Sequence, residues 1–126
     1  PIDEVRFKEL IYNHLTVDFE KRFGYSFYTV QDLQERGIDL EKVVVRHSDV
    51  IKTIKDLDFV FVVDEEKHVP GSYGVSFRTC NNKTPVVEFA KALGGGGHEF
   101  AAGARLGEFP NIQEAVRKVL SILNNA

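Results

Sequence analysis

The amino-acid sequence predicts one α/β domain, built as a mixed β-sheet flanked by helices. Residues 59–63 are apolar at every position, which is typical of a central strand with helices packed on both of its faces. Residues 72–79 alternate between apolar and polar side chains, as a half-buried strand does. Segments with helical apolar spacing lie before and after these strands, and 126 residues is the length of a single domain.

The first segment is predicted to be a helix. Through residues 3–22, apolar side chains recur at mostly helical intervals among charged ones, which favours a single amphipathic helix that stops at Gly24. Phe7 and Val17 fit the apolar face poorly, so a break near Thr16 is the alternative. In isolation, the apolar side of this helix would allow a homodimer to form.

A buried strand is expected next, because residues 25–30 are rich in aromatic and β-branched side chains. Residues 31–36 follow as one or two helical turns, and Gly37 is placed where a helix commonly ends. We therefore divide the chain into a leading or interdomain helix over residues 1–24 and a domain over residues 25–126.

The segment before the central strand is less regular. Residues 43–45 form a short apolar run whose type, helix or strand, the pattern leaves open. Ser48 is predicted to cap a short helix that runs to about Ile54. Arg46 and His47 precede that cap, and we expect them in a solvated turn rather than against a ligand.

Residues 59–63 and 72–79 are predicted to pair as an antiparallel hairpin. The charged segment 64–71 ends in Pro-Gly, which indicates a turn between the two strands. The alternation in the second strand places its aromatic and aliphatic residues on one face, and Ser76 and Arg78 on the other. Arg78 therefore ends the strand on the polar face, where a guanidinium group could bind phosphate or simply be solvated.

Two helices are expected in the C-terminal part of the chain. Thr84 is a capping residue and Pro85 suits the first helical position, so they predict a helix that ends at Gly94. Residues 104–106 can form a short strand. Asn111 then begins the last helix, whose apolar residues recur at helical spacing.

Four consecutive glycines are followed by a histidine: Gly94, Gly95, Gly96, Gly97 and His98. Glycine permits positive φ angles and close approach of a ligand, and unpaired backbone N–H groups favour anions. A flexible linker is the alternative, but too few residues follow Gly103 for a second domain. We therefore expect a rigid loop whose N–H groups and His98 bind a common anion.

Composition restricts the classes of protein. The net charge of −3 argues against a broad basic surface for duplex nucleic acid. With one cysteine, Cys80, and no apolar leader or long apolar run, a cytoplasmic protein without a membrane segment is expected. The chain starts at Pro1 and contains no methionine, so we expect it to be part of a longer protein.

Ser76-Phe77-Arg78-Thr79, followed by a helix and by the glycine-histidine segment 94–103, resembles the DHH-associated C-terminal domain of bacterial and archaeal phosphoesterases. That superfamily includes nanoRNase/pAp phosphatases, RecJ-type exonucleases and exopolyphosphatase-related proteins. In such enzymes an N-terminal domain, named for an Asp-His-His motif, carries manganese ions and the hydrolytic water. The C-terminal domain binds the substrate.

The resemblance implies a substrate-binding role for Arg78, Ser76, His98 and the four glycines, and no catalytic or metal-ligating residue in this chain. The chain alone would be inactive. Its parent would be a manganese-dependent hydrolase of short oligonucleotides or of pAp-type nucleotides, in which a DHH catalytic domain is the partner. The choice among oligoribonucleotide, pAp, a cyclic-dinucleotide product, single-stranded DNA and polyphosphate stays open. Glu99 and Phe100 depart from the basic and polar residues common in nanoRNase-like members.

The alternative function is a binding module for a nucleotide or a short single strand that has no catalytic role. Exposed aromatic side chains that stack on bases would distinguish such a module. Tyr25 and Tyr73 are the candidates, although both lie on predicted strands, where packing in the core is the more common role.

Overall fold

A computed structural model describes residues 1–124. The helices are α1 (Ile2–Asn13), α2 (Val30–Glu35), α3 (His47–Ile51), α4 (Val87–Ala92) and α5 (Ile112–Asn124), with a 3-10 turn at Leu40–Lys42. The strands are β1 (Thr16–Asp18), β2 (Phe23–Tyr28), β3 (Phe59–Glu65), β4 (Ser72–Thr79), β5 (Gly96–His98) and β6 (Ala101–Glu108). They form one sheet in the order β1-β2-β3-β4-β6-β5.

The predicted mixed sheet flanked by helices is confirmed. Strands β2 and β3 are parallel, and the other neighbouring pairs are antiparallel. Helices α4 and α5 pack with one face of the sheet, and α1, α2 and α3 contribute to the apolar cluster on the other face. The sheet is therefore the middle layer of three.

Strand β3 supplies both apolar clusters. Phe59, Phe61 and Val63 pack on the α5 side, whereas Val60 and Val62 pack on the α1 side. Each of these side chains is at most 8% exposed. The sequence prediction of a central strand is correct, because a strand without a polar face can lie only where both faces are covered.

Strand β4 pairs antiparallel with β3, as predicted, and its alternation is preserved. Tyr73, Val75 and Phe77 are buried on the α5 side of the sheet. Ser76 and Arg78 therefore lie on the opposite face, in register with Val62 and Val60 of β3. Strand β3 itself continues to Glu65, two residues into the segment predicted as a turn.

The single helix predicted over residues 3–22 is wrong. Helix α1 ends at Asn13, and β1 follows it as an edge strand paired with β2. The buried face of α1 is formed by Phe7, Leu10 and Ile11, whereas Val5 is 62% exposed. The predicted break near Thr16 is thus the correct alternative. Pairing with the free edge of β2 supplies hydrogen-bond partners for the backbone N–H and C=O groups that would otherwise be paired within a helix.

Residues 1–24 share the core of the domain. Ile11 and Leu10 are fully buried, and the Ser26 hydroxyl donates a hydrogen bond of 2.6 Å to the Ile11 carbonyl oxygen. Strand β2 also begins at Phe23, before the proposed boundary. An additional interdomain role for this segment stays a prediction.

The segment between α2 and β3 differs from expectation at the cap of α3. Helix α2 has a capping box formed by Thr29 and Asp32, and Gly37 follows it with φ of 63°, as predicted. Ser48 does not cap α3, since it lies inside the helix and is buried. Residues 43–45 are neither helix nor strand, and the Glu4 carboxylate accepts hydrogen bonds from two of their N–H groups.

Helix α4 begins later than predicted. The Thr84 N–H donates 2.8 Å to the side-chain oxygen of Asn81, which holds Thr84 in a polar turn before the helix. Val86 and Val87 instead donate to the Glu99 carbonyl oxygen. The start of α5 agrees with the prediction, because the Asn111 side chain accepts a hydrogen bond of 3.0 Å from the Glu114 N–H.

The short strand predicted at residues 104–106 is part of the longer β6. The predicted buried side of α5 is observed, with Ala115 and Val119 fully buried. Within residues 1–124, no helix is both long and apolar enough to cross a membrane.

Candidate functional site

An open cleft of about 660 Å³ lies above the β4-β6-β5 half of the sheet, and the start of α3 forms one wall. Its lining comes from three segments of the chain: Arg46, His47 and Ser48; Ser76, Phe77 and Arg78; and Gly96, Gly97, His98, Ala101, Ala102 and Gly103. The predicted site residues Ser76, Arg78, Gly96, Gly97 and His98 therefore meet in one cleft, whereas Gly94 and Gly95 do not line it.

The strand register arranges the cleft residues in two rows. Arg78 on β4 and His98 on β5 are both paired with Ala101 of β6, one from each side. Their backbones are thus two strand spacings apart, about 10 Å. In the next row, Ser76 and Gly96 are both paired with Gly103.

The sequence predicts that the glycine run is a loop with four unpaired N–H donors. The structure differs from this prediction. The Gly94 N–H donates to the Lys91 carbonyl oxygen at 2.9 Å, and the Gly95 N–H donates to Ala90 at 2.8 Å. The run then continues as the edge strand β5, which pairs with β6. An edge strand directs only part of its N–H groups to its one neighbour, so the run has fewer unpaired donors than a free loop would have.

Three of the four glycines are required by the fold itself. Gly94 ends α4 with φ of +85°. A Cβ atom at Gly95 would clash with the Gly103 carbonyl oxygen, and one at Gly97 would lie 2.8 Å from the Ala102 Cα. At Gly96 a Cβ atom would meet nothing within 4 Å, so the absent side chain leaves the cleft floor open.

Arg78 is oriented from the α3 side. Its Nε lies 3.6 Å from Oδ1 of Asp49, and the same oxygen lies 3.6 Å from Nζ of Lys52. The Arg78 side chain is 31% exposed. The contact with Asp49 is an ion pair at Nε and not a hydrogen bond, since Oδ1 of Asp49 has no hydrogen-bond partner among residues 1–124. A guanidinium that meets a carboxylate at Nε can present its terminal NH₂ groups to an anion in the cleft.

His47 is a cleft residue that the sequence analysis placed in a solvated turn. Its Nε2 lies 3.1 Å from the Ser76 hydroxyl oxygen, and its ring packs edge-on against Tyr28 with centroids 5.9 Å apart. Burial lowers the pKa of His47 to about 4, so the imidazole is neutral at pH 7. No local pattern could reveal this contact, since 29 residues separate the two partners.

Neither tyrosine that could mark a base-stacking module lines this cleft. Tyr73 is 4% exposed in the core, and Tyr25 stacks on Phe61 with ring centroids 5.0 Å apart. Cys80 carries no nucleophile signature either, because burial raises the pKa of its thiol to about 11. Among residues 1–124, no three His, Cys, Asp or Glu side chains are grouped closely enough to hold a metal ion.

Comparison with known proteins places this fold. The chain is similar to an exopolyphosphatase-related protein from Bacteroides fragilis, with a TM-score of 0.74 and 19% identity over 96% of this chain and 34% of that one. It is also similar to the pGpG-specific phosphodiesterase PggH from Vibrio cholerae, with a TM-score of 0.66 and 12% identity over 98% of this chain and 40% of that one. No curated protein sequence matches significantly.

The chain thus corresponds to well under half of the length of these two solved structures. At such low identities they show a shared fold. The DHHA1 domain family model matches residues 26–125, which include the Ser76–Thr79 segment and the glycine-histidine motif. The chain therefore belongs to the DHHA1 domain family, the DHH-associated domain that its sequence resembles.

Proposed function

We propose that this chain is the substrate-binding domain of a metal-dependent phosphoesterase, and that its cleft holds a phosphate of a short oligonucleotide or a pAp-type nucleotide. Membership of the DHHA1 family supports the proposal. One observation carries it: Arg78 and His98 project from β4 and β5 into the same cleft, in register with a single residue between them.

The chemistry of this row suits a phosphate group. A guanidinium group binds two phosphate oxygens through parallel N–H donors, and Arg78 lies at the cleft in an ion pair of 3.6 Å with Asp49. His98 is exposed at the cleft on the edge strand. The bare backbone at Gly96 allows the ligand to approach the sheet closely.

The size of the ligand follows from the charge of the whole chain. A protein with a net charge of −3 has no general attraction for long polyanions, so binding depends on the few basic groups in the cleft. A mono- or dinucleotide fits a cleft of about 660 Å³, whereas a duplex would need a broad basic surface.

The hydrolytic chemistry is assigned to another part of the parent protein. A DHH domain would carry manganese ions, which activate water and stabilise the leaving oxygen. This chain would orient the phosphate toward them, and misplacement by about 1 Å would cost about a hundredfold in rate. A homodimer also stays a prediction, and it would need a surface other than the buried side of α1.

The non-catalytic binding module is the weaker alternative. Its expected stacking residues, Tyr25 and Tyr73, pack in the apolar cluster on the opposite face of the sheet from Ser76 and Arg78. A base in the cleft therefore could not stack on either of these two tyrosine rings.

Titration of the chain with pAp by calorimetry tests the proposal. Arg78→Ala and His98→Ala should each weaken binding, by about 10-fold to 100-fold for the arginine, since hydrogen bonds to charged groups contribute about 1.5–3 kcal/mol. Arg105→Ala is the matched control, because the Arg105 side chain is 87% exposed and its guanidinium pairs with Glu66 outside the cleft. Unchanged affinity in both cleft variants would contradict the assignment.

A further inference from the structure

The floor of the cleft has two rows of different chemical character. One row presents the basic side chains of Arg78 and His98, with Ala101 between them. The other presents Ser76, Gly103 and Gly96, and so offers a single hydroxyl beside bare backbone. Two residues along a strand separate the rows, a distance of about 7 Å. The basic row suits a phosphate, and the neutral row lies beside it.

His47, at the start of α3, contacts the Ser76 end of the neutral row. Its Nε2 lies 3.1 Å from the Ser76 hydroxyl oxygen, while its Nδ1 is buried and has no hydrogen-bond partner among residues 1–124. Because burial lowers the pKa of His47 to about 4, the imidazole carries one hydrogen at pH 7. The pair therefore holds two polar hydrogens, and only one of them lies between the partners.

The position of the second hydrogen follows from burial. If Nδ1 carried a hydrogen, that N–H would be buried without an acceptor, which is rarer in proteins than an unpaired acceptor. The favoured arrangement has Nε2–H donating to the Ser76 oxygen. The Ser76 O–H is then free to donate into the cleft, and its oxygen keeps a further lone pair.

We infer that the His47–Ser76 pair reads a hydroxyl group of the ligand, with His47 as the positioning residue, so that the cleft prefers a ribonucleotide to its 2′-deoxy analogue. This inference rests on the proposed function. A ligand hydroxyl both donates and accepts, which matches an oriented serine hydroxyl, whereas a phosphate group only accepts and is served by the basic row. A sugar is joined directly to its phosphate, so it falls in the adjacent row.

The test compares pAp with 2′-deoxy-pAp, which carry the same two phosphates, by calorimetry on the full chain. The wild-type chain should bind pAp about tenfold more tightly, the factor expected for one neutral hydrogen bond. Ser76→Ala and His47→Phe should bring the ratio to about one, with little change in affinity for the deoxy analogue. His47→Gln should retain much of the preference, because its amide nitrogen can take the place of Nε2.

Two controls separate this inference from the proposed function. Arg78→Ala should weaken both ligands equally and preserve the ratio, and His68→Ala, an exposed residue outside the cleft, should change neither. Equal affinities in the wild type would overturn the inference and leave the proposed function standing, as would equal weakening of both ligands by Ser76→Ala. Failure of the wild type to bind either nucleotide would overturn both.

Discussion

Asp64 shows how one half-buried residue makes the stability of this domain depend on pH. It lies on β3, in register with Tyr28 on one side and Gly74 on the other. Burial, followed by the neighbouring charge of Glu66, raises the pKa of this carboxyl group to about 7. The ordinary value is 3.8, so the folded state holds a proton that the unfolded state releases. Stability should therefore fall as the pH rises from about 4 to 7.

Asp64→Asn should remove this pH dependence. At pH 8 the variant should be more stable than the wild type, and the advantage should shrink by about 2–4 kcal/mol on going to pH 4.5, where the wild-type carboxyl is also neutral. Chemical denaturation at the two pH values measures the difference. A difference that is the same at both values would show that the carboxyl ionises normally in the folded protein.

His47 acts in the opposite direction over an overlapping range. Because its pKa is lowered to about 4, the unfolded state binds a proton first as the pH falls below 6.5. The free energy of unfolding therefore falls as the pH decreases from about 6.5 to about 4, and it stops falling once His47 is also protonated in the folded state. A variant of Asp64 alone is thus needed to separate the two contributions.

Strand β5 is the element in which folding and binding impose different demands on the same residue type. Gly97 has φ of +139° and its backbone lies close to Ala102. Gly96, one position earlier, has neither feature and faces the cleft. The same four-glycine run therefore contains glycines that the fold requires and one, Gly96, whose lack of a side chain affects the space for a ligand and not the fold.

Alanine substitutions at Gly96 and Gly97 should separate these demands. Gly97→Ala should lower the free energy of unfolding by more than about 1 kcal/mol, since both its φ and its neighbours exclude a Cβ atom. Gly96→Ala should leave stability within about 0.5 kcal/mol but weaken pAp binding about tenfold, because the methyl group would occupy the cleft floor. Thermal unfolding and calorimetry on each variant measure the two effects, and a Gly96→Ala chain that binds normally would contradict the close approach.

At the scale of the whole molecule, the cleft that gathers Ser76, Arg78 and His98 lies over one half of one face of the sheet. Helices α1 and α3 cover the β2-β3 half of the sheet on the cleft side, and the β4-β6-β5 half is left open for a ligand. Among residues 1–124, the acidic and imidazole side chains do not gather into a metal-binding group. Under the proposed function, binding belongs to this chain and hydrolysis to another part of the parent protein.

The isolated chain should therefore leave pAp intact. Incubation with Mn²⁺ and pAp, followed by chromatography of the nucleotides, should show no product formation, because the proposed function places the metal ions and the hydrolytic water in another domain. A sample without manganese is the control for spontaneous breakdown. Manganese-dependent hydrolysis by the purified chain would contradict the division of labour.

Much of this protein was determined by local sequence. Local patterns predict three elements correctly: the apolar run predicts β3, the alternation predicts β4, and Asn111 predicts the start of α5. These predictions succeed because burial and capping there depend on neighbours within a few residues. The association of Arg78 with the glycine-histidine motif was also visible, since both carry the family resemblance.

Only the tertiary structure decided the remaining features, because they depend on contacts between distant segments. Residues 16–18 were predicted as part of the first helix, but they form β1 because they pair with the edge of β2. Part of the glycine run forms β5 because it pairs with β6. His47 and Ser76 meet across 29 residues of sequence, where no periodicity connects them. Backbone groups and buried side chains take the partners that the completed fold supplies, and those partners are not encoded within any one segment.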